Sequence, residues 1–140
     1  MATLVYTDAR VEINSINLSD HVKSVEIQYQ AELLDDTVMG TSGTRSNKPG
    51  LKNWTITCNF LQDYAAASVD ATLFGLIGAA AFPVKVRPTT DAISATNPEF
   101  QGNAVLESYP PLTGEVGALG TAQAVFKPGG GSNNLVRAVA

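Results

Sequence analysis

From Val25 to Leu33 the chain alternates apolar and polar residues over nine positions without a break: Val-Glu-Ile-Gln-Tyr-Gln-Ala-Glu-Leu. Successive side chains of a strand point to opposite faces, so this segment is a strand with one apolar face and one face of carboxylates and amides only. The pattern returns where Trp54, Ile56, Cys58 and Phe60 alternate with Thr55, Thr57 and Asn59, and again from Phe100 to Ala104. It is weaker from Thr121 to Phe126, around Gln123. Several strands therefore share a wet, uncharged-to-acidic surface.

The rest of the chain fits around those strands. Arg10 to Ile13 meets the turn residues Asn14-Ser15 and continues at Ile16 to Leu18, which predicts a small hairpin. Strands are expected from Val22 to Leu34, Leu51 to Gln62, Phe82 to Pro88, Glu99 to Tyr109 and Gly120 to Lys127. Asp35 to Gly50 shows neither period, so a loop far longer than the usual hairpin connection of about two to five residues is expected there. One helix is predicted over residues 68–78: Ser68 offers an N-cap, Val69, Leu73, Leu76 and Ile77 share a face, and Gly78 suits the stop. Residues 1–127 then form one β domain. Residues 1–9 are an N-terminal arm, and residues 128–140 are a Gly-rich linker and a short apolar arm with nothing local to pack on. The expected core is Val25, Ile27, Tyr29, Trp54, Ile56, Cys58, Phe60, Leu73, Leu76, Ile77, Val84, Val86, Phe100, Leu106 and Phe126.

Charge and composition narrow the function classes. The formal net charge of −4 gives no general attraction for nucleic acid phosphates. A single cysteine rules out an internal disulfide framework. Met1 to Tyr6 has neither a cationic start nor a long apolar run, and Leu73 to Val86 is broken by Gly75, Gly78 and Pro83, so neither a signal peptide nor a membrane span is expected. Ser19, Asp20 and His21 are consecutive and point in different directions, so they make no triad. Cys58 sits in the apolar register and reads as a buried hydrophobe. Gly40 to Ser46 lacks the Gly-Lys-Ser/Thr ending of a phosphate loop, and Glu32, Asp35 and Asp36 lack a calcium-loop spacing. No catalytic residue, cofactor or metal is assigned.

Taken in order, several segments resemble the major tail tube proteins of long-tailed, siphovirus-type bacteriophages. They are the Val11-to-Asp20 hairpin, the Glu32-to-Thr37 strand exit with Met39, Gly40 and Arg45, the Pro49-to-Trp54 re-entry, Phe60 to Tyr64 before the helix, and Val86-Arg87-Pro88 before Asn97-Pro98. The resemblance spans most of residues 8–127. It implies a mainly β fold, an antiparallel sandwich or barrel with one flanking helix, whose long hairpins form a ring-closing inner sheet. It also implies hexameric rings stacked into a hollow tube, with the long loop and the chain termini mediating stacking. On that footing the stacking residues are Asp35, Asp36, Met39, Arg45, Lys48 and Pro49. The implied partners are the chain itself, a tape-measure protein, a tail terminator and distal tail or baseplate proteins. The resemblance further implies that double-stranded DNA passes through without specific binding, and that the chain, assembled in the bacterial host cytoplasm, ends in the virion tail.

If four long strands per subunit close around a six-fold ring, 24 strands about 4.8 Å apart and tilted near 40° give a backbone diameter of about 48 Å. The lumen is then expected to be the polar face: Glu26, Gln28, Gln30, Glu32, Thr55, Thr57, Asn59, Glu99, Gln101, Asn103, Glu107 and Gln123. Beside a hydrolase with scattered carboxylates, for which no specific residue speaks, two other readings fit the same pattern. One is a tail-tube-related terminator or baseplate ring, and the other is a ligand-binding β-sandwich, although Trp54 and Phe60 sit in the core register and give it no aromatic platform.

Overall fold

Arg10–Ile13 (β1) turns back through Asn14 and Ser15, both at positive φ (51° and 67°), into Ile16–Asn17 (β2). Two successive residues at positive φ match the twist of adjoining strands in a tight hairpin. The computed structural model describes residues 3–130 and 134–140. Met1 and Ala2 of the expected N-terminal arm, and Gly131 to Asn133 of the expected linker, lie outside the described residues.

Val22–Asp35 (β3) and Asn47–Leu61 (β4) pair along almost their whole length, with Glu26 opposite Thr57 and Tyr29 opposite Trp54. The connection is therefore residues 36–46, shorter than expected, because β4 takes in Asn47 to Gly50. Pro49 is tolerated in a strand because the pairing of β4 with Thr121–Pro128 (β7) runs only from Ile56 to Leu61, leaving the earlier half of β4 as an edge on that side. Phe82–Arg87 (β5), Glu99–Ser108 (β6) and Val136–Ala138 (β8) complete one eight-stranded antiparallel sheet in the order β2-β1-β5-β6-β7-β4-β3. Val11 and Ile13 near one end of that order share a core cluster with Ile56 and Phe60 near the other, so the sheet curls round its apolar face.

The helix is shorter than its apolar spacing predicts. Val69–Leu73 (α1) passes into a 3₁₀ turn over Phe74–Leu76, and Gly78 follows at φ 75°. Because the helix ends at Leu76, Ile77 leaves its apolar stripe and is 48% exposed, not core. Leu73 and Leu76 are buried as expected. Tyr29 is also corrected: at 50% exposure it lies on β3, the edge strand, one strand outside the buried Trp54 with which it pairs. Val25 and Ile27 are half-buried against the core, and Phe100 is half-buried; Trp54, Ile56, Cys58, Phe60, Val84, Val86, Leu106 and Phe126 are buried.

The C-terminal arm does find a local partner. Phe100 pairs with Val86 on one side and Arg137 on the other, and Ala104 pairs with Phe82 and Pro128. β8 thus resumes the course of β7 along the same edge of β6, and Leu135 packs on the core. The first glycines of the tail are dictated by contact: a Cβ on Gly129 would lie 2.6 Å from Val105, and one on Gly130 would lie 2.9 Å from Ala81. Gly102 carries the indole of Trp54, where a Cβ would come within 2.8 Å of the ring. Gly102→Ala should therefore cost about 1–3 kcal/mol by forcing the ring aside, read as a fall in the urea midpoint at unchanged slope.

Candidate functional site: the four-strand polar face

β6, β7, β4 and β3 are adjacent in the sheet and are its four longest strands. Opposite the core, this block presents Glu26, Gln28 and Gln30 of β3, Thr55, Thr57 and Asn59 of β4, Gln123 of β7 and Gln101 and Asn103 of β6. The register lines them up in rows: Gln28 beside Thr55, Glu26 beside Thr57, and Asn59 beside Gln123. Asn59 Nδ2 donates to Ser24 Oγ at 2.8 Å, tying adjacent strands on the wet side. Val105 and Val125 interrupt the row, and Glu107 is exposed at the irregularity between Leu106 and Ser108. Glu32 is exposed at the far end, packed beside Gly50.

Glu99 does not belong to this wet surface. It is 5% exposed and lies 2.8 Å from Arg87 Nε, although that N–H is not aimed well enough for a hydrogen bond. Gln101 Nε2 donates to the other carboxylate oxygen of Glu99 at 2.6 Å. The connection after β5 folds over the pair: Arg87 donates to the Asp91 carbonyl at 2.7 Å, and Asn97 Nδ2 donates to the same oxygen at 2.9 Å. Alternation assigned Glu99 to the polar side, but it carries no information about a loop lying on top of that side.

The face also holds a residue that the sequence reading passed over. Lys127, two residues beyond Val125 and in the same register, donates to Thr55 Oγ1 at 2.9 Å and lies 3.9 Å from Glu107. The signal was present in the alternation of β7, but the valine hid it.

The two ends of the block differ. At the hairpin end, Asp35 accepts from the Thr37 N–H at 2.9 Å and from Arg45 at 3.0 Å, and Asp36 donates through its N–H to the Ser46 carbonyl. These bonds close a neck beneath a tip that carries Val38 and the fully exposed Met39. Lys48, in β4, lies 4.0 Å from Asp36, and Pro49 stands opposite Leu33. At the other end, Tyr109 donates to Asp70 at 2.8 Å and accepts from Gln62 at 2.9 Å, pinning α1 to the loop after β6.

His21, Ser68 and Asp63 converge at this second end, but not as a proton relay. Ser68 Oγ and Asp63 Oδ2 both approach His21 Nε2, at 3.2 and 3.5 Å, whereas a relay needs them on opposite ring nitrogens. The cluster clasps the start of α1 instead, and Ser68 makes no side-chain cap. Burial pushes the Cys58 thiol up to about 12, far from a nucleophile's range. Among the described residues no three His, Cys, Asp or Glu side chains are grouped to hold a metal, and no helix is long and apolar enough to cross a membrane.

The titrating groups bound the pH range over which both ends hold. The Thr37 hydrogen bonds, then Arg45, lower Asp35, and the Ala65 N–H, then Ser68 and His21, lower Asp63. Their contributions are complete above the ordinary carboxylate value of about 3.9 and fade as pH falls through the lower folded values. Burial, then the bond to Asp70, raises Tyr109 to about 12. Its contribution is complete below the ordinary value of about 10 and fades as pH rises toward 12. Hydrogen exchange should accordingly show the hairpin neck and the Asp63–Ala65 turn both loosening in acid, and the contact between α1 and the loop after β6 loosening in alkali.

No protein-family model matches the chain, and no curated protein matches its sequence. Solved structures do share its fold. A chain in the virion of a native gene transfer agent particle superimposes at a TM-score of 0.71 with 13% identity, covering 96% of this chain and 99% of that one. A chain from the sheath–tube complex of an extracellular contractile injection system in its extended state gives 0.70 at 11% identity over 99% and 93%. A chain from the sheath/tube terminator of such a system gives 0.71 at 11% identity over 98% and 97%. A chain from the tail of an empty gene transfer agent particle, refined with C6 symmetry, gives 0.63 at 14% identity over 83% and 82%. The chain thus has the fold found in these tail and injection-system assemblies.

Proposed function

We propose that the chain is a structural subunit that self-associates into hexameric rings stacked as a hollow phage tail tube, with the four-strand polar face lining a channel for double-stranded DNA. The observation that carries this reading is the block β6-β7-β4-β3: four adjacent long strands, apolar on one side, amide, hydroxyl and acid on the other, ending in β3 as the free edge of the sheet. A long free edge is a template for pairing with another chain, and closing a ring removes it. DNA carries one negative charge per about 1.7 Å, so a lining of amides and acids releases few counterions and lets the duplex slide. The C6 symmetry of one similar tail supports the ring size.

Stacking then falls to the hairpin tip and its neck, with Asp35, Asp36, Met39, Arg45, Lys48 and Pro49 meeting the next ring. A tape-measure protein, a tail terminator and distal tail proteins complete the partners, and the chain's place is the virion tail. Electron microscopy of the purified, concentrated protein beside size-exclusion chromatography tests this. Hollow tubes or six-fold rings support it. Single rings that never stack would favour the terminator reading, which the similarity to a sheath/tube terminator chain keeps in view. Monomers that persist even with tail initiators present would overturn it and favour a ligand-binding module.

A further inference from the structure

Lys127 is the one cation that the four-strand face carries between its base and the hairpin neck, among the described residues. Its ammonium group donates to Thr55 at 2.9 Å and lies 3.9 Å from the Glu107 carboxylate. No cation lies within ion-pair distance of Glu26 or Glu32 among the described residues, so these two acids stand unpaired with a cation while the face's cation sits beside Glu107. Exposed pairs of this kind contribute little to folding, so stability does not account for the arrangement.

We propose that Glu107 and Thr55 mask Lys127 from the phosphates of DNA passing over this face, a device that rests on the channel-lining reading above. A lone ammonium on the wall would attract each passing phosphate and release counterions. With a carboxylate 3.9 Å away, the ammonium becomes one end of a dipole whose field falls off faster than that of a lone charge, and salt with a Debye length of about 8–10 Å screens what remains. Thr55 occupies one of the three ammonium donors and holds the group against the wall. Masking requires charge cancellation, not a strong bond, so the long and exposed contact to Glu107 suffices.

The test uses tubes assembled from the full chain and a short labelled DNA duplex, with bound duplex measured by co-sedimentation across a salt series. Wild-type tubes should retain little duplex. Glu107→Gln tubes should retain about tenfold more at low salt, with a salt slope steeper by about 0.9 for each lysine in contact. Lys127→Gln tubes, and tubes carrying both changes, should match the wild type. Equal retention by Glu107→Gln and wild-type tubes overturns the mask, and so does lower retention by Lys127→Gln, which would mean that Lys127 grips DNA already. Should Glu107→Gln fail to assemble, the comparison of Lys127→Gln with the wild type decides alone. A wild-type chain that forms no tubes even with tail initiators present overturns the proposed function, a result distinct from either.

Discussion

Replacing Val38 to Thr44 by an Asn-Gly turn is expected to abolish tube formation while leaving a folded subunit. The bonds that close the hairpin lie below the cut: Asp35 with Thr37 and Arg45, Asp36 with the Ser46 carbonyl, and Ser46 N–H with Thr37 Oγ1 at 2.8 Å. None of the removed residues belongs to the core cluster, so the change in subunit stability should stay within about 0.5 kcal/mol. An Asn-Gly pair supplies the positive φ angles that a two-residue hairpin needs.

The effect on assembly should be far larger. Val38 is 67% exposed and Met39 is wholly exposed, and a side chain of that size contributes about 1.5–3 kcal/mol when buried. Under the proposed stacking, losing both removes about 3–6 kcal/mol per subunit, so the concentration needed for tubes rises by about two to four decades. The readouts are tube count by electron microscopy and a folded monomer by circular dichroism. Normal tubes from a folded variant would remove the tip from the stacking interface.

Local alternation made most of the polar face legible, because Gln28 and Thr55 report their orientation through their immediate neighbours. Contacts between distant segments were not legible that way. Nothing near Val136 announces that it will pair with Gln101, and Gly129 reads as linker until Val105 stands against it. Tyr29 and Ile77 fall in apolar registers, yet both are exposed because the structure runs out beside them: Tyr29 lies on the edge strand β3, and the helix stops at Leu76. Periodicity gives the direction of a side chain. Burial depends also on whether anything lies in that direction.

Glu99 is the sharpest instance, and it carries the second large prediction. Register places it across from Arg87, since Val86 pairs with Phe100, and the 88–98 connection seals both from water. Their side chains are only 10% and 7% exposed. Breaking one side of a buried pair strands a charge, so Arg87→Leu and Glu99→Leu should each cost about 3–5 kcal/mol. The double substitution leaves no stranded charge and should recover most of that loss, giving a coupling energy of several kcal/mol in a denaturation cycle. Single losses that simply add would show that each side chain acts alone, as packing. The expected non-additivity marks Glu99 as a fastener for the connection over β5 and β6, and it takes the residue off the exposed polar face. The polar face then keeps Glu26, Glu32 and the Glu107–Lys127 pair as its charged groups, so under the proposed function any retention of DNA by Glu99→Leu tubes should match the wild type.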